Sequence, residues 1–388
     1  MNALTQMLGV LLVFVLIVST AMVNVILFLM LTSYLLSGNY ASKWQLIWTS
    51  SVARVSLLLF GLFLLGILYT SASFSEVRAT LSSYRELWLI PIVISIFNQA
   101  QWQQRAYYAF LVIIAIAVLA SFSMRLGWLP PGKPNEDWVP FKGRIAFGFF
   151  LAFAIYLMIH HTMQAKTLRK RLCWGAFAAL STFDLLFLIS GRTGHVVFIV
   201  LIALLLFQYR VQARKYWLAL FIALSVFATI TVLTSPSIKS RLVDIERAVT
   251  HPETSDIGLR LIFWKTSVRI IAEHPLFGAG TGSFTRESLM HEIDHPKTSG
   301  NNPHNEYLMI ASQLGLVGLS VFIWLLYRMY AESKKIQQPY HYASQGLVVA
   351  MAVGCIFNSF LRDHAEGHFF AIYLAMLFSS ITPKKAAV

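Results

Sequence analysis

The chain has 388 residues, of which 57% are hydrophobic and only 12% carry a formal charge. Soluble globular domains carry about 25% charged residues, so this composition excludes an ordinary water-facing surface. Aromatic residues make up 14% of the chain, which excludes a disordered protein. Residues 7–36 and 106–124 contain no charge, and a helix needs about 20 apolar residues to cross a bilayer. The composition therefore predicts an all-α polytopic membrane protein.

Twelve membrane-spanning segments are predicted in chain order. A break is placed near Ser19–Asn24, because 30 residues in one helix would be about 45 Å long and would need a large tilt. One membrane domain is expected to include residues 1–388, with a large external loop at 235–304. The segments are 7–19, 21–36, 52–69, 86–100, 106–121, 145–160, 172–189, 194–208, 216–234, 305–327, 345–361 and 368–382.

The distribution of charge predicts the topology. If both termini are cytoplasmic, the cytoplasmic loops hold 15 of the 31 Lys and Arg residues but only one of the 17 acids, Glu332. This asymmetry follows the positive-inside rule. The net charge of +14 is therefore interpreted as a topology signal, and no nucleic-acid partner is expected because the basic residues lie in short loops between apolar runs.

The large external loop is predicted to contain two short helices. The first covers Ile238–Val249, and the second runs from Ile257 to about Glu273, where Pro275 prevents its continuation. A glycine-rich turn, Leu276–Gly282, follows.

His304 is the strongest candidate for a catalytic group. It precedes Asn305, a good helix N-cap, and a long apolar helix follows. The positive end of a helix disfavours an imidazolium, so a neutral His304 could accept a proton at pH 7. The alternative is an ordinary loop histidine beside a capping asparagine.

Three arginines are candidates for binding an anion. Arg192 lies in the turn Ser190–Gly194 between two spans, Arg260 lies on the second loop helix, and Arg85 begins the fourth span. Guanidinium groups bind phosphate oxygens bidentately and keep their charge, so converging arginines would indicate a diphosphate site. The two glycines of the Arg192 turn would allow a ligand to approach closely. The alternative is snorkelling of separate arginines at the membrane interface.

Asp184 and the last external turn complete the polar candidates. An acid inside a span usually has a polar partner, so Asp184 is expected to make a structural contact or to orient an arginine. The alternation of His364, Glu366 and His368 resembles metal ligands, but no further ligands are evident nearby, so no metal and no cofactor are expected.

The chain has no phosphate-binding lysine loop and no nucleotide fingerprint, so its substrate must arrive already activated.

Several of these motifs together resemble the O-antigen ligase and polymerase superfamily. His304-Asn305, with Gly315 and Gly318 at the family's spacing, resembles its signature. The remaining similar pieces occur in the family's order: Ser190–Thr193, Arg260 with Trp264, His274–Gly282 and Asn358–His368. The likeness covers nearly the whole chain.

The resemblance implies a GT-C type fold in a Gram-negative inner membrane, with the active site on the periplasmic face. It implies a metal-independent, inverting glycosyltransferase that moves O-antigen polysaccharide from undecaprenyl diphosphate to a sugar hydroxyl of lipid A–core. His304 would be the general base, Arg192 and Arg260 would hold the diphosphate, and Arg85 would hold a phosphate near the lipid entrance. Asn305 and Asp184 would be supporting residues.

Three other functions stay open at this point. A polymerase would extend the glycan on its lipid carrier, and a protein glycosyltransferase would use pilin or another protein as acceptor. A transporter of a polyprenyl-linked sugar would place functional charges near the midplane and on both faces. The charged candidates gather on the external side, which favours an enzyme. The sugars and the oligomeric state do not follow from the sequence.

Overall fold

The computed structural model describes residues 2–97, 99–130, 138–210, 250, 255–291 and 301–379. Within these residues the regular elements are helices, and no strand occurs. The first seven helices are α1 (Asn2–Val15), α2 (Thr20–Leu36), α3 (Tyr40–Thr49), α4 (Ser51–Leu65), α5 (Phe74–Ser83), α6 (Glu86–Ile96) and α7 (Ala100–Arg125). The others are α8 (Arg144–Gln164), α9 (Leu168–Phe183), α10 (Arg192–Gln208), α11 (Asp256–Glu273), α12 (Phe284–His291), α13 (Glu306–Ser333), α14 (Tyr340–Phe357), α15 (His364–Phe369) and α16 (Ala375–Phe378).

Six helices of the described residues are long and apolar enough to cross a membrane, and a seventh span results if the bent pair α2 and α3 counts as one. The chain is thus an all-α multi-pass membrane protein. The predicted count of twelve spans stays a prediction. The predicted span 216–234 and the predicted helix Ile238–Val249 lie outside the described residues.

The predicted break in the first apolar run is confirmed. Helix α1 ends at Val15, and α2 begins after Ser19, whose side chain accepts a hydrogen bond from the Met22 backbone N–H. A serine in this position satisfies one of the unpaired N–H groups at the start of a helix, which explains why a new helix starts here. The two helices pack against each other, so the run folds back on itself.

Helix α8 lies at the centre of the described bundle. It packs against α9, α10 and α14, and nearly all of its side chains between Ala146 and Met158 are buried. A helix that is hydrophobic on all sides can be covered by lipid or by other helices, and here other helices cover it. Because α8 is enclosed in this way, its N-terminal residue Arg144 is held in a fixed position relative to α10 and α14.

The predicted helix at 305–327 is interrupted, which its apolar pattern did not predict. Helix α13 extends to Ser333, but Gly315 inside it has φ of 62° and ψ of −162°, which is not helical. The glycine-rich segment docks at this break. The backbone N–H groups of Ala279 and Gly280 donate to the carbonyl oxygens of Ser312 and Gln313, at 3.0 and 2.9 Å.

The docking is a contact between two backbones. A Cβ atom on Gly315 would lie 2.3 Å from the Leu276 carbonyl carbon, and one on Gly278 would lie 2.3 Å from that of Gln313. The Leu316 N–H donates to the Pro275 carbonyl at 2.8 Å, so the loop replaces hydrogen bonds that α13 loses at its break. The two glycines are therefore required by tertiary contact, and the loop fixes α11 against the first half of α13.

Candidate active site

A cavity of about 810 Å³ opens where α8, α10 and α13 begin. We call this end of the bundle the site end. Its wall carries three arginines and one histidine: Arg144, Arg192, Arg260 and His304. Cavities that bind small ligands usually measure about 300–1,000 Å³, so this one can enclose a diphosphate and adjoining sugar. Three of the four basic residues are predicted site residues, and tertiary structure brings them to one cavity.

The turn before α10 places Arg192 beside α8. Gly191 lies against the backbone of α8, where a Cβ would be 2.5 Å from the Arg144 carbonyl oxygen, and Gly194 lies equally close to Gly148. The glycines were interpreted as making room for a ligand. This interpretation is wrong, because the space that they leave is filled by the backbone of α8. Their role is to bring the N-termini of two helices, with Arg144 and Arg192, to the same cavity wall.

His304 adopts a left-handed backbone conformation with φ of 52°, which is uncommon for a residue with a Cβ atom. Its backbone N–H donates to Asn302 Oδ1 at 2.8 Å, and the same oxygen accepts a hydrogen bond from the Ser359 hydroxyl at 2.7 Å. Asn305 caps α13 by accepting from the Leu308 N–H at 3.1 Å, as predicted. His304 therefore lies immediately before a capped helix, held by the turn that follows α14.

Arg260 and Trp264 share one face of α11, as their spacing predicts. The Arg260 guanidinium donates through Nη1 to the Phe357 carbonyl at 2.8 Å, and Trp264 Nε1 donates to the Pro303 carbonyl at 3.0 Å. Helix α11 thus contacts the end of α14 through Arg260 and the segment beside His304 through Trp264. These two contacts set the position of Arg260 relative to His304.

Four residues at the site were not predicted to have a role. Arg144 lines the cavity and its Nη1 lies 3.4 Å from the Ser190 hydroxyl. Asn358 donates to the Thr193 hydroxyl at 2.8 Å, which ties the end of α14 to the start of α10. Asn302 and Ser359 hold the His304 segment. A signal for Arg144 existed, since it begins a span on the same side as Arg192, and Asn358-Ser359 belongs to the motif resemblance.

Glu306 is a buried acid at the first position of α13. Its Oε1 accepts from the Tyr84 hydroxyl at 2.6 Å, and its Oε2 accepts from the Leu361 N–H at 2.9 Å. These two contacts join α13 to the segment before α6 and to the turn after α14. They fix the helix start that carries His304, because a fully buried carboxyl is stable only with such hydrogen bonds.

Arg85 is not part of the cavity lining within the described residues. Its Nη2 donates to Asn24 Oδ1 at 3.2 Å and to His368 Nε2 at 3.1 Å. A guanidinium can only donate, so Nε2 of His368 accepts, and its protonated Nδ1 faces Glu86 Oε1 at 2.9 Å. We call these four residues, Asn24, Arg85, Glu86 and His368, the Arg85 cluster. The predicted phosphate contact of Arg85 stays a prediction.

Asp184 lies in a short π-helical turn and is completely buried. Its Oδ1 accepts from the Ser121 hydroxyl at 2.8 Å. Of the two roles expected for Asp184, the structure favours the structural contact, since the hydrogen bond joins α7 to the end of α9. The turn after α14 contains a half-buried acid, Asp363, whose pKa is raised to about 6 by burial, while Arg362 opposes the shift.

Helices and cavity together define a multi-pass membrane protein with a basic site at the ends of its helices. Residues 176–323 match the family described as "O-Antigen ligase", and this segment contains Arg192, Arg260 and His304. This match supports an assignment to the O-antigen ligase family. A protein of Haemophilus influenzae, itself described as uncharacterized, is 24% identical over 283 residues, which are 68% of this chain and 67% of that protein.

Proposed function

We propose that this protein is an O-antigen ligase, a metal-independent and inverting glycosyltransferase that moves O-antigen polysaccharide from undecaprenyl diphosphate to lipid A–core. The observation that carries the proposal is the meeting of Arg144, Arg192, Arg260 and His304 at one cavity. The last three of these residues lie in the segment that matches the family. The proposal places the protein in a bacterial inner membrane, as one membrane domain with the 235–304 loop and the site end in the periplasm.

In the proposed reaction, a hydroxyl oxygen of the acceptor sugar attacks the anomeric carbon of the donor. The new glycosidic bond forms as the bond between that carbon and the diphosphate oxygen breaks, which inverts the anomeric centre. The hydroxyl proton passes to the His304 imidazole, and the electron pair of the broken bond leaves with undecaprenyl diphosphate. A general base within hydrogen-bond reach contributes about 10²–10⁴-fold to such a step.

The arginines would stabilise the leaving group. Negative charge grows on the diphosphate as the bond breaks, and fixed cations near that charge lower the barrier. Arg192 also begins α10, whose N-terminal N–H groups favour an anion. Arg260 donates one hydrogen bond through Nη1 to the Phe357 carbonyl. This hydrogen bond fixes the direction of the remaining N–H groups of the guanidinium. Arg85 would contact a phosphate outside the cavity lining.

Lipopolysaccharide analysis of a deletion strain tests the proposal. Loss of all O-chains, with polymer accumulating on the lipid carrier, is expected for a ligase. Caps of a single repeat would instead identify a polymerase. Transfer by purified protein in detergent, with donor and acceptor added, would distinguish an enzyme from a transporter, which needs two compartments. Full activity after chelation is expected, whereas restoration by one divalent ion would contradict the metal-independent mechanism.

A further inference from the structure

A second polar cavity lies at the end of the bundle opposite to the site end. It has a volume of about 140 Å³, several times the ~30 Å³ that one water occupies. Helix α2 begins near Asn24, which contacts Arg85 at the site end, and Tyr34 in the cavity wall lies ten residues further along, which is about 15 Å of helix. Helix α6 likewise begins beside Arg85 and ends at Ile96 in the same wall.

Lys43 is the cation of this cavity. Only 9% of the residue is exposed, and its Nζ donates to the Tyr34 carbonyl at 2.6 Å and to the Ser37 hydroxyl at 2.7 Å. The ammonium carries three N–H groups, of which two donate to these oxygens. Its Nζ also lies 3.9 Å from the centre of the Tyr34 ring and 5.1 Å from that of the Tyr40 ring, which are cation–π distances. No carboxylate forms an ion pair with Lys43 in the part of the chain that the structure describes. A buried charge without a counter-ion is costly, and an anion in the cavity would remove that cost.

The start of α3 adds further donors at the mouth of the cavity. Asn39 has φ of 55° and precedes α3, but its side chain makes no capping hydrogen bond to the helix. Asn39 and Ser42 are exposed and line the cavity. The N–H groups of the first turn of a helix attract anions. The Ser42 hydroxyl itself donates to the Asn39 carbonyl at 3.0 Å. The Asn39 amide, the N–H groups of the first turn and Lys43 thus surround one space with donors and a positive charge.

A stripe of exposed aromatic side chains runs along α3 beside Lys43. Tyr40, Trp44 and Trp48 are 59%, 60% and 48% exposed and recur every four residues. Helix α3 bends by 115° from α2. Tyrosine and tryptophan concentrate at membrane–water interfaces, so this arrangement sets α3 along the membrane surface. The cavity would then lie at the depth of lipid headgroups, on the side for which the loop charges predict an anionic leaflet.

We propose that this cavity binds a phosphate group, carried by the headgroup of an anionic phospholipid or supplied as free phosphate. Lys43 provides the charge, and the Asn39 amide provides hydrogen bonds at the mouth. The proposal is independent of the proposed glycosyltransferase function, since none of these residues lies at the site end.

The test is the thermal unfolding of the delipidated full chain in neutral detergent, with phosphatidylglycerol, diacylglycerol or inorganic phosphate added. Phosphatidylglycerol is expected to raise the Tm by a few degrees, and diacylglycerol, which lacks phosphate, is expected to leave it unchanged. A matching rise with inorganic phosphate would identify free phosphate as sufficient, whereas a rise with the lipid alone would identify the headgroup as the ligand.

Two variants assign the shift to the cavity. Lys43→Met removes the cation, and Asn39→Asp changes the shape little, tolerates the left-handed conformation and places a negative charge at the mouth. Both are expected to lose the lipid-dependent shift, while Lys170→Met, at an exposed lysine, keeps it. If the lipid raises the Tm of Asn39→Asp as much as that of the wild type, the proposal is wrong, even if Lys43→Met does not fold. An equal rise in Tm with diacylglycerol would also overturn the proposal. If Lys43→Met lowers the Tm but keeps the shift, Lys43 only caps α2 and the proposal is wrong.

Discussion

Two groups of basic side chains lie at the site end of the bundle, and they have different surroundings. Arg144, Arg192, Arg260 and His304 line a cavity of about 810 Å³. In the Arg85 cluster, the guanidinium donates to Asn24 and His368, and His368 in turn contacts the buried Glu86. Arg144 and Arg260 of the first group also donate to their own protein, at Ser190 and the Phe357 carbonyl. What separates the two groups is that the first lines a cavity in which a ligand can be bound. The residue type alone does not distinguish the two groups.

The largest effect is expected for His304→Ala. Loss of the proposed base should lower glycan transfer by about 10²–10⁴-fold and leave membrane insertion intact, which lipopolysaccharide gels and membrane fractionation would measure. His274→Ala is the matched control, because this histidine is exposed on the same loop. Wild-type transfer by His304→Ala would exclude it as the base and remove the main contrast between the two groups.

Replacement of the cavity arginines by lysine is expected to have the next largest effect. Arg192→Lys and Arg260→Lys keep one charge but lose the fork that binds two phosphate oxygens, so transfer should fall on the order of 10–100-fold. The Tm should fall slightly in Arg260→Lys, which weakens the hydrogen bond to the Phe357 carbonyl. Arg78→Lys, at an exposed arginine of α5, is the control. Undiminished turnover in both cavity variants would mean that these arginines are structural.

Arg85→Lys tests whether the Arg85 cluster stabilises the fold. A lysine keeps the charge but lacks the planar guanidinium that places Nη2 between Asn24 and His368, so weakening of one hydrogen bond in the cluster should cost about 1 kcal/mol. We expect a lower Tm in detergent and a smaller loss of transfer than in Arg260→Lys. A loss of transfer as large as that of Arg260→Lys at unchanged Tm would instead support the predicted contact between Arg85 and a phosphate.

A smaller effect is expected for Ser359→Ala. Its hydroxyl donates to Asn302, which also accepts from the His304 backbone. Loss of one such hydrogen bond is worth about 1 kcal/mol, so kcat should fall several-fold while KM for the donor stays constant. Ser344→Ala removes an equally buried hydroxyl at the far end of α14 and should leave kcat unchanged. A change in KM alone would argue against a role in positioning His304.

The smallest effect is a dependence of stability on pH at the turn after α14. The pKa of Asp363 is about 6 in the folded protein, above the value of about 3.9 in an unfolded chain. The folded state therefore binds this proton more tightly, and stability should decline as pH rises from about 4 to 6. Asp363→Asn should flatten that part of the Tm profile. A profile equal to that of the wild type would show that Asp363 titrates normally.

Local chemistry allowed the sequence to predict several helix ends. The break at Ser19, the cap at Asn305 and the helix that ends before Pro275 depend on residues within one turn of each other. The shared face of Arg260 and Trp264 follows from helical spacing in the same way. The interruption of α13 at Gly315 could not be predicted, because it requires the backbone of a segment that precedes it by many residues.

The sequence by itself determined that this is a helical membrane protein, since hydropathy and charge act along the chain, and it identified His304, Arg192 and Arg260 as candidates. Only the tertiary structure decided that Arg144 joins them and that Arg85 lies in a separate cluster. The physical reason is that a ligand site depends on where side chains meet in space. The positions of these side chains are set by close backbone contacts between helices, such as Gly194 against Gly148. The local sequence of each helix does not predict which helix it packs against.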